Sequence, residues 1–265
     1  MNRSMHAPRT STSPRSDLPA LKGRPANVHA RLAGTVAPIA DVTLSERHEM
    51  YVLLRTYFDG TTRERFEADL REKEAVILLR DDASGRIQGF STFARMTPRP
   101  GVVAFFSGDT IIDREFWGET VLSRAWGATV FAEAERIAAA DPQTSVYWFL
   151  ISSGYKTWRF LPLFFREFYP TMEAPTPPHV RDLLDTLGEQ RFGAEYLPDL
   201  GIVRFRNPTP LRRGVAEITD ERLRDPRIAF FARTNPGHGQ GDELACIAEL
   251  SRANLTRAGL RMVSR

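Results

Sequence analysis

The sequence predicts an α/β protein with a central, mixed but mostly antiparallel sheet flanked by helices, continued by a C-terminal α/β extension. Three observations carry this. Two capped amphipathic patterns lie next to each other, three β-rich runs follow with turn residues between them, and a long helical stretch then leads into a short apolar run. The 265 residues are 42% hydrophobic and 26% charged, which is enough apolar side chain to build a core and excludes collagen-like, coiled-coil and wholly disordered classes.

Residues 1–40 read as a disordered basic tail. Prolines at 8, 14, 19 and 25 stand among Arg and Ser, and no apolar stretch suits a secretion signal. A single domain then spans 41–265, its extension beginning near 171. Thr43 with Glu46 forms a capping box ahead of Met50, Leu53, Leu54, Tyr57 and Phe58, a helical face closed by Gly60. Thr61 with Glu64 opens a second helix through Phe66 and Leu70. Ala75 to Leu79, a turn at 81–85 and Ile87 to Ala94 form a hairpin, and Val102 to Ile112 a third strand. A helix is predicted over 115–140, a buried strand over 146–151, and a helix with a return strand over 155–168. Beyond the Pro-rich 174–178 segment come a helix at 180–187, strands at 202–205 and 228–232, and a last helix over 242–260.

The net charge of +3 belongs to the tail. Residues 1–40 hold six basic side chains and one acid, which leaves 30 basic and 32 acidic side chains for the rest. Of the 36 basic residues 33 are Arg, a bias that fits a GC-rich bacterial genome and argues against a dedicated nucleic-acid surface. With one cysteine, Cys246, no intrachain disulfide can form, and no apolar run is long enough to span a membrane. A cytoplasmic protein is expected, and neither a membrane nor a nucleic acid is an expected partner.

The stretch from 41 to 169 resembles the GNAT (Gcn5-like N-acyltransferase) superfamily in its order of elements: two short helices, a hairpin, a third antiparallel strand, a long helix, and a splayed strand followed by another helix. The local match lies over Ile111-Ile112-Asp113-Arg114-Glu115-Phe116-Trp117-Gly118-Glu119-Thr120-Val121-Leu122. The resemblance implies a phosphate-holding strand, turn and helix there, with Ile112, Gly118, Glu119 and Thr120 as donor-binding positions. Helix N-termini suit such a role because their first N–H groups lack partners. The sequence departs from the family pattern at its head, where Trp117 stands, and at Thr120 and Leu122. Only Gly118 agrees, and Glu119 adds a negative charge. Branches of the fold that take the acyl group from a carrier protein also depart from this pattern, and Arg55, Tyr57, Phe58, Phe66, Asp69 and Leu70 resemble their N-terminal halves.

What the resemblance implies is acyl transfer from a thioester, acyl-CoA or acyl carrier protein, to a small-molecule amine by direct attack, with no metal. The alternative is a non-catalytic protein of this fold that binds a small molecule or a partner. Strand alternation puts Ser107 and Asp109 on one face. Asp109 is the candidate base, or else a turn-forming residue beside Gly108. Tyr155, near where the resemblance implies an acid for the departing thiolate, is the candidate acid, or else core. Ser152, Ser153 and Gly154 offer further donors. The glycine-rich loop 235–242 reads as a strand-to-helix turn able to cradle an anion, with Asp242 as helix N-cap and His238 as a loop residue or a base. Cys246 reads as a core residue of that helix. Five histidines, without close Cys/His pairing, give no metal motif.

Overall fold

A computed structural model describes residues 32–264. The expectation of a disordered tail therefore lies, for 1–31, outside the described residues. Its last part is corrected. Strand β1 (Leu32–Pro38) pairs antiparallel with β2 (Ala75–Asp81), from Leu32 opposite Asp81 to Pro38 opposite Ala75. It is an outer strand of small, mostly exposed residues, so it carries little apolar alternation to read.

Helix α1 (Leu44–Tyr57) opens on the expected capping box, Thr43 Oγ1 accepting from Glu46 N–H at 3.2 Å while Glu46 Oε2 accepts from Thr43 N–H at 2.7 Å. Helix α2 (Arg63–Arg71) starts one residue later than expected: Thr62, not Thr61, is the cap, accepting from Arg65 N–H at 3.2 Å. The hairpin of β2 and β3 (Ile87–Arg99) and the strand β4 (Val102–Ile112) follow the sequence reading. The long helix is shorter than expected. Residues 114–116 make a 3-10 turn, Gly118 takes a left-handed φ of 101°, and α3 runs Val121–Ala140.

Strand β5 (Ser145–Ser152) lies parallel to β4, from Val102 opposite Ser145 to Ser107 opposite Leu150. Two short helices, α4 (Tyr155–Trp158) and α5 (Phe160–Phe164), take the place of the expected helix and return strand. Helix α6 (Pro178–Phe192) extends beyond the expected 180–187. After β6 (Tyr196–Leu197) and β7 (Ile202–Val203), two assignments reverse. The expected strand at 228–232 lies in helix α7 (Pro226–Thr234), started by Pro226 in its first turn and capped by Asp225, which accepts from Arg227 N–H at 2.9 Å. The expected helix at 242–260 is strand β8 (Glu243–Glu249), followed only later by α8 (Arg257–Val263). Leu244 to Ala248 are buried on both faces, so the run has no period to distinguish strand from helix.

Among the described residues all eight strands form one sheet in the order β1-β2-β3-β4-β5-β8-β7-β6, so the C-terminal part completes the sheet. The resulting α/β arrangement is mostly antiparallel, with a parallel pair at β4 and β5, as the sequence predicts. Around α3 and α8 one sheet face buries Ile77, Phe105, Trp126, Trp148 and Met262; the other buries Met50, Phe66 and Phe90 under α1 and α2, and Phe106, Phe149 and Leu184 under α6. Among the described residues, no helix is long and apolar enough to cross a membrane.

Candidate active site

Two departures from regular pairing create the site. The first is the end of the parallel pair. Beyond Ser107 and Leu150, β4 stays with β3 while β5 stays with β8, where Ile151 faces Ala245 and Ser152 faces Leu244. A gap opens between β4 and β5. The second is a bulge: Ser91 faces Thr110 and Phe93 faces Ser107, so Thr92 alone opposes both Gly108 and Asp109. The extra residue reverses the alternation and corrects the sequence reading. Ser107 turns toward α3, where its Oγ accepts from the indole N–H groups of Trp148 at 2.8 Å and Trp126 at 3.3 Å. Asp109 turns to the opposite face and lines a cavity with Asp69, Lys73, Phe106 and Glu243.

That cavity has a volume of about 340 Å³. Buried surroundings raise the Asp109 carboxyl to about 6, the negative charge of Asp69 adding to the effect and Lys73 and Arg65 opposing it. Glu243, the first residue of β8, is pushed up to about 8, again chiefly by burial and then by Asp109 and Asp69. The buried Lys73 ammonium lies 2.5 Å from Asp69 Oδ1. Gly108 is required beneath it, because a Cβ there would lie 2.4 Å from Lys73 Cε and 2.8 Å from Thr92 Oγ1. Gly108→Ala is therefore expected to displace Lys73 and destabilise the fold by about 1–3 kcal/mol, read as a lower urea midpoint with unchanged slope.

On the other side of the gap lies a second cavity of about 480 Å³, lined by Ile112, Gly118, Glu119 and Thr120, together with Tyr57, Trp117, Lys156 and Phe160. Here the four donor-binding candidates come together. Nothing lies within 4 Å of a Cβ built on Gly118, the Thr120 side chain does not cap α3, and the helix has no acid in its first turn. Trp117 donates its indole N–H to the Ile112 carbonyl at 3.0 Å and carries Lys156 Nζ 3.4 Å from its ring centroid. Burial, with Arg222 and Arg114 nearby, holds the Lys156 ammonium below the usual lysine range. An uncapped helix start beside a partly desolvated cation fits a phosphorylated donor, despite Glu119 on the lining.

Phe58, Thr110, Ser153 and Thr157 line both cavities. Tyr155 lines neither. It is 4% exposed in the core below α4, with Arg222 over its ring. Of α4, Lys156 lines the second cavity and Thr157 lines both.

The loop 235–242 connects helix α7 to strand β8, not a strand to a helix. Asp242 is not a helix cap. It pairs with Arg204 at 2.7 Å, while buried Asn235 donates to the Asp242 carbonyl at 2.8 Å and His238 packs on Phe231. Cys246 is fully buried in β8, which pushes its thiol well up. Among the described residues, no group of three or more His, Cys, Asp or Glu side chains could hold a metal ion.

Glu243, Lys73 and Thr157 escaped sequence reasoning. For Glu243 a signal existed, an acid opening an otherwise apolar run, but it was assigned to a helix.

No family model matches the chain, and no curated protein does. Among solved structures it is similar to the ribosomal-protein-S18-alanine N-acetyltransferase of Escherichia coli, at 12% identity over 84% of this chain and 97% of that one, with a TM-score of 0.37. It is similar also to a GNAT family N-acetyltransferase (YhbS) of Escherichia coli solved with CoA, at 14% identity over 52% and 71% of the two chains, with a TM-score of 0.34. An acyl-CoA N-acyltransferase of Pseudomonas aeruginosa is 18% identical over 45% of this chain and 79% of its own, with a TM-score of 0.33.

Proposed function

We propose that the protein transfers an acyl group from a phosphorylated thioester donor, acyl-CoA or acyl carrier protein, to a small-molecule amine by direct attack. The observation that carries this is the gap between β4 and β5, where an apolar cavity beside a free helix N-terminus adjoins a cavity holding a half-buried carboxylate of raised pKa. Gly118, Thr120 and Lys156 would hold the donor's phosphate, with Ile112 and Phe160 against its chain. The amine would enter beside Asp109.

Asp109 takes the proton that the attacking nitrogen must lose. A carboxyl near 6 is ionised at neutral pH yet more basic than an ordinary aspartate. As the N–C bond forms, charge gathers on the carbonyl oxygen, and the edge of β4 beyond Ser107, which has no strand opposite it, offers backbone N–H groups to that charge. The C–S bond then breaks, and the hydroxyls of Thr157 and Ser153 in the gap supply the hydrogen bond that the departing sulfur needs. No covalent enzyme intermediate is required.

Thermal unfolding with acetyl-CoA, a long-chain acyl-CoA and acyl carrier protein, followed by thiol release on adding amines, tests the proposal. At a hundredfold excess over Kd a donor should stabilise by about 2.7 kcal/mol, and thiol release should depend on the amine. Failure of every donor to raise Tm would overturn the proposal. Stabilisation without amine-dependent thiol release would favour the non-catalytic binding protein.

A further inference from the structure

The acidic cavity contains more than one carboxylate, and their partners differ. Asp69 is bound by Lys73 and Arg191, Glu72 by Arg191, and Glu195 accepts from the Arg206 N–H at 2.8 Å. Arg65 donates to the Asn207 carbonyl and lies over Phe205. Asp109 and Glu243 alone among these charged groups have no hydrogen bond or ion pair with a described residue.

Two hydroxyls point the same way. Thr92 is wholly buried, its Oγ1 has no partner, and it lies against the Gly108 wall of this cavity. Thr61, on the lining, also has a buried oxygen without a partner. Buried polar groups are normally satisfied, and with the Nε of Arg191, a lining residue, also buried without a partner, the cavity is short of a polar guest. The rings already hold cations: Lys73 and Arg191 lie over Phe106 at 5.7 and 5.2 Å. An ammonium group on an apolar body matches this lining in both charge and surface.

We propose that Glu243, supplied by the C-terminal strand β8, is the second carboxylate of the acceptor site, and that with Asp109 it binds the acceptor as a cationic primary amine with no carboxylate beside the nitrogen. The proposal rests on the acyl-transfer reading for the fate of the amine, but it makes its own claim about binding. An α-amino acid would bring its carboxylate against two others, a like-charge contact that opposes binding.

The charges facing the pair are Asp69 and Arg65 from α2, Glu72 and Lys73 just after it, Arg191 from α6 and Glu195 beyond it. With the pair titrating near 6 and near 8, it retains most of one proton at pH 7. An arriving ammonium lowers both pKa values and expels that proton. At pH 9 the pair has none left to lose.

Calorimetry of the full chain in two buffers of different ionisation enthalpy tests this, with phenethylamine against phenylalanine and tyramine against tyrosine. The expected result is that at least one amine binds about tenfold or more tighter than its carboxylated counterpart, which corresponds to about 1.4 kcal/mol. It should release part of a proton at pH 7 and none near pH 9. Glu243→Gln should lose about tenfold in affinity, together with the proton release, while still binding coenzyme A; Asp109→Asn should reduce both as well, and serves if the first variant does not fold. Equal binding of the carboxylated compounds, or unchanged affinity and proton count in the variants, would overturn the proposal, as would a protein that binds acyl-CoA and none of the amines. Amine binding that depends on Glu243 in a protein that binds no acyl donor would instead sink the acyl-transfer reading and leave the carboxylate site standing.

Discussion

Asp109→Asn is expected to lower kcat/KM for amine acylation by about 10²–10⁴-fold, the usual contribution of a positioned general base, or roughly 3–5 kcal/mol of barrier. The wild-type profile should rise with pH through about 6 as the carboxyl ionises, and that limb should vanish in the variant. Thiol release at saturating donor measures both. A variant that keeps the wild-type rate and the limb near pH 6 would remove Asp109 from the reaction.

The same substitution should not cost stability at neutral pH. A carboxyl whose pKa is raised in the folded state is favoured there as the neutral acid, so its ionisation works against the fold. For Asp109 that loss develops as pH rises from about 4 to 6, and for Glu243 from about 4.5 to 8. The carboxylates with lowered values, Glu46, Glu133 and Asp141, have already made their contribution above pH 5. His238 acts in the other direction, since burial favours its neutral form and its contribution fades as pH falls below 6.5. Stability of the wild type should therefore decline between pH 6.5 and 8, and Glu243→Gln should flatten that decline. A variant curve as steep as the wild-type one would contradict this origin.

Where turn or capping residues bounded a segment, the fold was legible. Strands β2 to β5 each combine β-rich apolar runs with turn residues, and Thr43 and Glu46 announced α1 by a mechanism that the structure repeats atom for atom. The failures have physical causes. Leu32 to Pro38 are small and exposed at the sheet edge, and Leu244 to Ala248 are apolar on both faces, so neither segment displays a period. At α7 the signal was present, Asp225 followed by Pro226, but the run Ile228 to Ala232 was read by its β-branched and aromatic content alone. The candidate donor positions were legible because they are contiguous, on one turn and helix start. The carboxylate pair was not, because Asp109 and Glu243 lie on strands that meet only through β5. The bulge was hidden as well: strict alternation predicts Ser107 and Asp109 on one face, and one extra residue separates them.

That separation has the largest expected consequence for stability. Ser107→Ala should destabilise the fold by about 2–4 kcal/mol, because one hydroxyl oxygen serves two buried indole N–H groups and a stranded buried donor costs about 1–3 kcal/mol. Trp126 stands on α3 and Trp148 on β5, their ring centroids 4.4 Å apart, and Phe165 packs on Trp148. Urea unfolding followed by tryptophan fluorescence would read the loss. A cycle with Trp126→Phe and Trp148→Phe identifies its source: once neither ring carries an N–H, Ser107→Ala should cost less than about 1 kcal/mol. An equal cost in both backgrounds would mean that the oxygen stabilises the strand in some other way. Because Ser107 is also the last residue of β4 opposite β5, a weakened anchor there should loosen the point at which the strands part, and a raised KM for the donor should accompany the lower midpoint.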